Sequence, residues 1–103
     1  MNDFHEFSPA ALSAALAAGE VVLVDVREPP EYHQARIEGA ILHPLSSFDP
    51  SALPAGEIVL QCGVGKRSLM AAQLCARAGV KVAGHLAGGL SAWAASGLPL
   101  VSG

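Results

Sequence analysis

The sequence predicts a single α/β domain in which helices cover both faces of a central, mainly parallel β-sheet. Short, uninterrupted runs of aliphatic residues alternate with helical segments along the chain, which is typical of parallel sheets. The chain has 103 residues, of which 51% are apolar and 15% are charged. This length allows one hydrophobic core and leaves too little chain for two. We therefore expect residues 1–103 to form one three-layer domain that folds on its own.

The first half of the chain predicts a helix followed by a buried strand. Ser8 is a good N-cap, Pro9 suits a first helical turn, the alanine-rich residues 10–18 favour a helix, and Gly19 ends it. Residues 21–24 form a continuous aliphatic run that stops at Asp25. Such a run is typical of a strand that is buried on both faces.

The second half predicts two more strands and two more helices. Residues 58–60 form a second buried strand, which a glycine-rich turn joins to a helix over residues 68–78. Residues 80–83 predict a further strand, and residues 90–96 a terminal helix, whereas the polar residues 46–54 read as a surface connection. Sites in such folds lie at the carboxyl ends of parallel strands, so the turn after residue 60 is the first place to look.

Composition argues against several partners. A net charge of −3 with only 6 Lys and Arg residues disfavours nucleic acid, which is bound by neutralising phosphates. No segment approaches the roughly 20 apolar residues of a membrane span, and the amino terminus lacks a secretory signal, so we expect a cytoplasmic protein without a membrane partner. Cys62 and Cys75 show neither metal-ligand nor dithiol spacing. Cys75 is expected to be a buried small hydrophobe.

Cys62 stands where a reactive thiolate would be stabilised. It ends a predicted strand and opens a turn into a helix, so backbone N–H groups and the helix dipole would favour an anionic sulfur. Gly63 and Gly65 allow the turn to curl inward, Lys66 and Arg67 add positive charge at its rim, and Ser68 can cap the helix. Such surroundings lower a cysteine pKa from its usual value of roughly 8.5 and make the sulfur a nucleophile. The alternative is an ordinary tight connection with solvated charges.

The other candidate residues give weaker evidence for a catalytic or binding role. The turn lacks the glycine spacing of phosphate-binding and dinucleotide-binding loops, which excludes those readings. Asp25 and Arg27 could be an acid/base pair, but a structural ion pair or loop-anchoring hydrogen bonds are expected instead, and Trp93 is expected to anchor the core. The four histidines are scattered without ligand spacing, so we assign none of them as a metal ligand or a base.

Four segments together resemble a rhodanese domain, in that family's order and over nearly the whole chain. Residues 62–68, Cys-Gly-Val-Gly-Lys-Arg-Ser, are similar to the family's active-site loop, and residues 86–93 are similar to its carboxyl-terminal signature. Residues 25–28 with Glu31 and Tyr32 resemble the segment after its second strand, and residues 37–40 the turn that follows. The resemblance implies the rhodanese-like α/β fold.

The resemblance also implies an activity. A small anionic donor such as thiosulfate would give its outer sulfur to Cys62, and the resulting persulfide would pass that sulfur to cyanide, a thiol or a sulfur-relay protein. Cys62 would be the nucleophile, and Arg67, helped by Lys66, would orient the donor. The loop residues that would cradle the persulfide are Gly63, Val64, Gly65, Lys66, Arg67 and Ser68. No metal or dissociable cofactor is implied.

Two alternatives stand beside this hypothesis. A catalytically silent rhodanese-like binding or regulatory module is disfavoured by the intact Cys62, since inactive members commonly lose that cysteine. A cysteine-loop phosphatase or arsenate reductase is disfavoured because related phosphatases place five residues between Cys and Arg, whereas four separate Cys62 from Arg67 here. Departures from the family pattern at Ala35, Arg36 and His43 leave the donor and acceptor preference open.

Overall fold

A computed structural model describes residues 4–103. The strands are β1 (Glu6–Phe7), β2 (Val22–Asp25), β3 (Ile41–Leu42), β4 (Ile58–Gln61) and β5 (Gly84–Leu86). The helices are α1 (Pro9–Ala17), α2 (Pro29–Gln34), α3 (Lys66–Arg77) and α4 (Gly89–Ala95). Two short 3₁₀ helices, Leu45–Ser47 and Pro50–Ala52, occupy most of the connection between β3 and β4.

The five strands form one sheet in the order β1-β5-β4-β2-β3, and all the pairs are parallel. The central pair runs in register from Val22 opposite Ile58 to Asp25 opposite Gln61. Because the two strands end at the same level, the residue that follows Gln61 lies at the carboxyl edge of the sheet. That residue is Cys62.

Alternate residues of the central strands supply two hydrophobic clusters, one on each face of the sheet. One cluster joins Leu23 and Val59 to Leu12 of α1 and Trp93 of α4. The other joins residues of β2 and β4 to α3: Val24, Val26, Ile58, Leu60, Cys62, Ala71 and Ala72. The sheet is therefore a middle layer between α1 and α4 on one side and α3 on the other, which confirms the predicted three-layer α/β fold.

Most of the predicted elements are present within two residues of their expected bounds. In α1 the Ser8 hydroxyl oxygen accepts a 3.1 Å hydrogen bond from the amide of Ala11, as expected of an N-cap. The strand predicted over residues 80–83 is wrong, because the strand β5 lies at Gly84–Leu86. The backbone at His5, just before β1, passes so close to Gly84 that a Cβ there would collide with the His5 carbonyl group. The first residue of β5 must therefore be glycine, a residue that in the sequence suggests the end of a strand.

In the part of the chain that the structure describes, none of the helices has both the length and the apolar character needed to cross a membrane.

Candidate active site

The backbone after β4 curls around the sulfur of Cys62. The Gly65 amide donates to Cys62 Sγ at 3.1 Å and the Ser68 amide at 3.3 Å. Gly65 adopts a φ of 101° immediately before α3 begins at Lys66, a left-handed conformation that favours glycine. The first turn of α3 therefore points its free amides at the sulfur, as the sequence leads us to expect.

These amides shift the protonation of Cys62. Burial by itself would raise the pKa of the thiol, but hydrogen bonds from the Ser68 side chain and from the amides of Ser68, Gly65 and Val64 lower it. The hydrogen bonds outweigh burial, so the pKa lies below its ordinary value of 9.0. By contrast, burial raises the pKa of Cys75, a buried residue of α3, as predicted. The two cysteines therefore differ in reactivity.

The sulfur lies beneath the loop and not at its surface. Cys62 is 0% exposed and packs with Leu60 and Ala71, whereas Val64 in the middle of the loop is 61% exposed. A cysteine in a turn at the carboxyl end of a strand is expected to be accessible to solvent, and this expectation is wrong here, because the structure encloses the sulfur. An enclosed anion is shielded from water, which strengthens its interaction with the amides.

The amino terminus of α4 fastens the loop from the other side. The amides of Leu90 and Ser91 donate to the carbonyl oxygens of Cys62 and Gly63 at 2.8 and 3.0 Å. Gly89, with a φ of 61°, lies so close that a Cβ there would overlap the Cys62 carbonyl oxygen and lie 2.6 Å from the Gly63 carbonyl carbon. The glycine pair at 88–89 thus allows a helix to start directly against the loop.

Arg67 is already bound to a carboxylate. Its guanidinium forms a bidentate ion pair with Glu31 of α2, with distances of 2.7 and 2.9 Å. The hydrogen bond from Arg67 lowers the pKa of Glu31 to about 2. Sequence reasoning treated Arg67 as a free rim charge and did not identify Glu31 as its partner, although both lie in the segments that carry the family resemblance. Lys66 remains exposed.

Ser68 connects the sulfur to a histidine. Its hydroxyl oxygen lies 3.6 Å from Cys62 Sγ and 3.1 Å from Nδ1 of His85. His85 is a β5 residue that is only 4% exposed, and its Nε2 lies 3.4 Å from a carboxylate oxygen of Glu6. We did not expect His85 at the site, because only the parallel pairing of β5 with β4 brings position 85 beside the loop.

The remaining candidates have structural contacts. Asp25 and Arg27 form a buried ion pair with a shortest distance of 2.7 Å, as predicted. Trp93 is 3% exposed in the core, and its indole N–H donates to the Pro99 carbonyl at 2.9 Å. Arg36 lies over the ring of Tyr32, 4.7 Å from the ring centre. In residues 4–103, His, Cys, Asp and Glu side chains nowhere gather in a group of three that could hold a metal ion.

Comparisons of the sequence with known proteins point to one family. A family model described as rhodanese-like domain matches residues 8–96. A sulfurtransferase of Allochromatium vinosum is 36% identical over 102 residues, covering 95% of both chains. An uncharacterized protein of Synechocystis sp. is 43% identical over 97 residues, covering 91% of this chain and 54% of that protein. The chain therefore spans about half the length of the Synechocystis relative.

A larger relative contains a similar segment. The probable adenylyltransferase/sulfurtransferase MoeZ of Mycobacterium tuberculosis is 38% identical over 93 residues, which cover 84% of this chain and 24% of that protein.

Solved structures show the same fold. A rhodanese-related protein from Thermoplasma volcanium superposes with a TM-score of 0.85 at 25% identity, covering 95% of this chain and 98% of that one. A thiosulfate sulfurtransferase from Pseudomonas aeruginosa superposes with a TM-score of 0.84 at 24% identity, covering 97% of this chain and 20% of that one.

Proposed function

Because the chain belongs to the rhodanese-like domain family, we propose that it is a sulfurtransferase that carries a sulfane sulfur atom as a persulfide on Cys62. The observation that carries the proposal is the pair of backbone amides, from Gly65 and Ser68, that donate to Cys62 Sγ. Such hydrogen bonds favour the anionic form of the sulfur, which is the form that attacks another sulfur atom. The names of relatives such as the Allochromatium sulfurtransferase support this reaction class.

In the loading step the Cys62 thiolate attacks the outer sulfur of a donor such as thiosulfate. A new S–S bond forms to Sγ, the S–S bond of thiosulfate breaks, and its electron pair leaves with sulfite. The Cys62 thiolate and the thiosulfate dianion give a persulfide anion and a sulfite dianion, so no net proton transfer is needed. The exposed Lys66 supplies positive charge that would draw the anionic donor to the loop, whereas the charge of Arg67 is balanced by Glu31.

In the discharge step an acceptor attacks the outer sulfur, and the electron pair of the broken bond returns to Sγ. Cyanide would leave as thiocyanate, and a thiol would leave as a new persulfide. Backbone N–H groups of the loop would stabilise the sulfur anion in both steps without any change in their positions. Because Sγ is enclosed, we expect slim donors and acceptors to react faster than bulky ones.

A cysteine-loop phosphatase or arsenate reductase is the second alternative, and it is less favoured than a silent binding module. One feature favours sulfur over phosphate: four residues separate Cys62 from Arg67, which gives a tighter ring than a loop with five. Assays of phosphate and arsenate substrates beside thiosulfate test this distinction.

Intact-mass spectrometry after brief exposure to thiosulfate tests the proposal directly. We expect wild type to gain the mass of one sulfur atom and to lose it on addition of cyanide. Cys75→Ser is the matched control, because it removes the second thiol and leaves the loop untouched. It should load like wild type, whereas Cys62→Ser should not load. Absence of an adduct with several donors, or loading of Cys62→Ser, would refute the proposal.

The proposal extends to partners. A small thiol, cyanide or a sulfur-relay protein would take the sulfur, and the MoeZ relative, which is named a probable adenylyltransferase/sulfurtransferase, supports sulfur transfer as the reaction class. The silent binding-module alternative predicts no persulfide on Cys62, so the same mass measurement separates the two. On the basis of the sequence, we also propose a cytoplasmic location.

A further inference from the structure

A line of polar contacts runs from the enclosed sulfur to the protein surface. Cys62 Sγ lies 3.6 Å from Ser68 Oγ, which lies 3.1 Å from His85 Nδ1, and His85 Nε2 lies 3.4 Å from Glu6 Oε2. Ser68 and His85 are buried, at 0% and 4% exposure, while the Glu6 side chain is 65% exposed. The chain of contacts therefore joins a sulfur that water does not reach to a carboxylate that it does.

We propose that Ser68 and His85 form a proton relay that sets the protonation of Cys62 and of the sulfur it carries. With the proton of the imidazole on Nε2, Nδ1 is free to accept from Ser68. When Cys62 ionises, its proton moves to Ser68 Oγ while the Ser68 proton moves to Nδ1. A thiol and an imidazole become a thiolate and an imidazolium, so neither proton nor charge is lost. This inference rests on the proposed sulfurtransferase function.

The neighbours of His85 suit this role. Strands β1 and β4 flank β5, and α3 packs on it. The ionisable group from β1 is Glu6, the one that follows β4 is Cys62, and α3 supplies Ser68. An imidazole can accept a proton at one ring nitrogen while it holds one at the other, and the Glu6 carboxylate lies beside Nε2.

The basic residues of α3 oppose an imidazolium only weakly. Lys66 is exposed to solvent, and the Arg67 charge is balanced by Glu31. Among the described residues, Glu6 is the charged side chain that lies within ion-pair distance of His85.

The relay matters for one class of acceptor. Loading by thiosulfate and discharge by cyanide need no net proton transfer. Discharge by a thiol does, because a neutral thiol and a persulfide anion on Cys62 give a neutral persulfide product and the Cys62 thiolate. The acceptor thiol gives up a proton when it attacks. The outer sulfur takes up that proton when it becomes the end of the product persulfide. His85, acting through Ser68, would hold it between these two events.

The test compares acceptors in the full chain. His85→Asn keeps an amide group near the position of Nδ1 but takes up no proton near neutral pH. After loading with thiosulfate, discharge by 2-mercaptoethanol and by cyanide is measured in single turnovers across a range of pH. At about pH 6 we expect thiol discharge to slow about ten-fold, while cyanide discharge changes less than about two-fold. Glu6→Gln should slow thiol discharge in the same direction by about two-fold and, being exposed, should not disturb folding.

Equal slowing with both acceptors, or no slowing at any pH, would overturn the relay while leaving the sulfurtransferase function intact. Failure of wild type to load would refute that function instead. If wild type does not load, a second measurement still tests the relay. In a Cys75→Ser background, the ultraviolet absorbance of the Cys62 thiolate is followed against pH; the relay requires the midpoint to rise in His85→Asn, and an unchanged midpoint would contradict it.

Discussion

Replacing Gly89 with alanine should damage both the stability and the chemistry of the protein, because α4 starts in direct contact with the active-site loop. The new Cβ would overlap the Cys62 carbonyl oxygen and lie 2.6 Å from the carbonyl carbon of Gly63. Both neighbours are backbone atoms, so neither can rotate away. Either the loop or the start of α4 must move, and the hydrogen bonds from Leu90 and Ser91 to the loop are then lost.

The cost follows from two contributions. An alanine held at the left-handed φ of Gly89 costs about 1–2 kcal/mol. Two lost backbone hydrogen bonds cost about 1 kcal/mol each. The free energy of unfolding should therefore fall by about 3–4 kcal/mol, which a domain with about 5–15 kcal/mol can survive. A displacement of the loop by about 1 Å should slow persulfide loading by about a hundred-fold.

Gly19→Ala is the matched control. Gly19 has a similar φ of 69°, and a Cβ there would meet nothing within 4 Å. This variant should lose about 1–2 kcal/mol from the backbone conformation alone and should load at the wild-type rate. Denaturant unfolding and the rate of mass gain with thiosulfate measure both effects. If Gly89→Ala matched Gly19→Ala in stability and in loading, contact between α4 and the loop would not hold the site together.

Three further predictions follow from the site and core. A small alkylating reagent at neutral pH should modify Cys62 at least about ten-fold faster than Cys75, because hydrogen bonds lower the pKa of one thiol and burial raises that of the other; peptide mapping by mass spectrometry measures this. Glu31→Gln should cost no more than about 1 kcal/mol at neutral pH, since its pair with Arg67 is partly exposed. The pKa of Glu31 is lowered from 4.5 to about 2, so that stabilisation is complete above pH 4.5 and is lost as the pH falls towards about 2; wild type and variant unfolding curves should converge there. Trp93→Ala should cost about 3–5 kcal/mol in urea unfolding, as expected for a buried core side chain.

Helices and strands with strong local sequence patterns could be predicted from the sequence, whereas strands of only two residues could not. Helix α1 has a capping serine, a proline in the first turn and a closing glycine, and β2 and β4 are uninterrupted aliphatic runs. Strands β1 and β3 have two residues each, which is too short for any periodic pattern. Strand β5 was displaced in the prediction because the close approach of the His5 backbone demands a glycine as its first residue.

The same division holds at the site. The loop from Cys62 to Ser68 is contiguous in sequence, so its spacing alone predicted amides around a sulfur, and the structure has two such amides within 3.3 Å. Glu31 and His85 come from α2 and β5, and only the tertiary fold brings them to the loop. A pairing between elements that are distant in sequence leaves no local pattern, and enclosure of the sulfur under the loop likewise depends on the packing of α3 and α4.

The ion pair at the rim decides what kind of anion the loop holds best. A bidentate bond to Glu31 satisfies Arg67, so breaking it to bind a doubly charged ligand would sacrifice two charge-assisted hydrogen bonds. The single charge of a thiolate or persulfide needs no such exchange, because the amides of Gly65 and Ser68 already point at Sγ. The amide dipoles of the loop are fixed before the reaction, so they stabilise the charge on sulfur without reorganisation. The guanidinium of Arg67, by contrast, must first be released from Glu31. The loop therefore suits a sulfur anion carried by the protein itself, whereas any dianion from solution, thiosulfate or phosphate, must either compete with Glu31 for Arg67 or rely on the exposed Lys66.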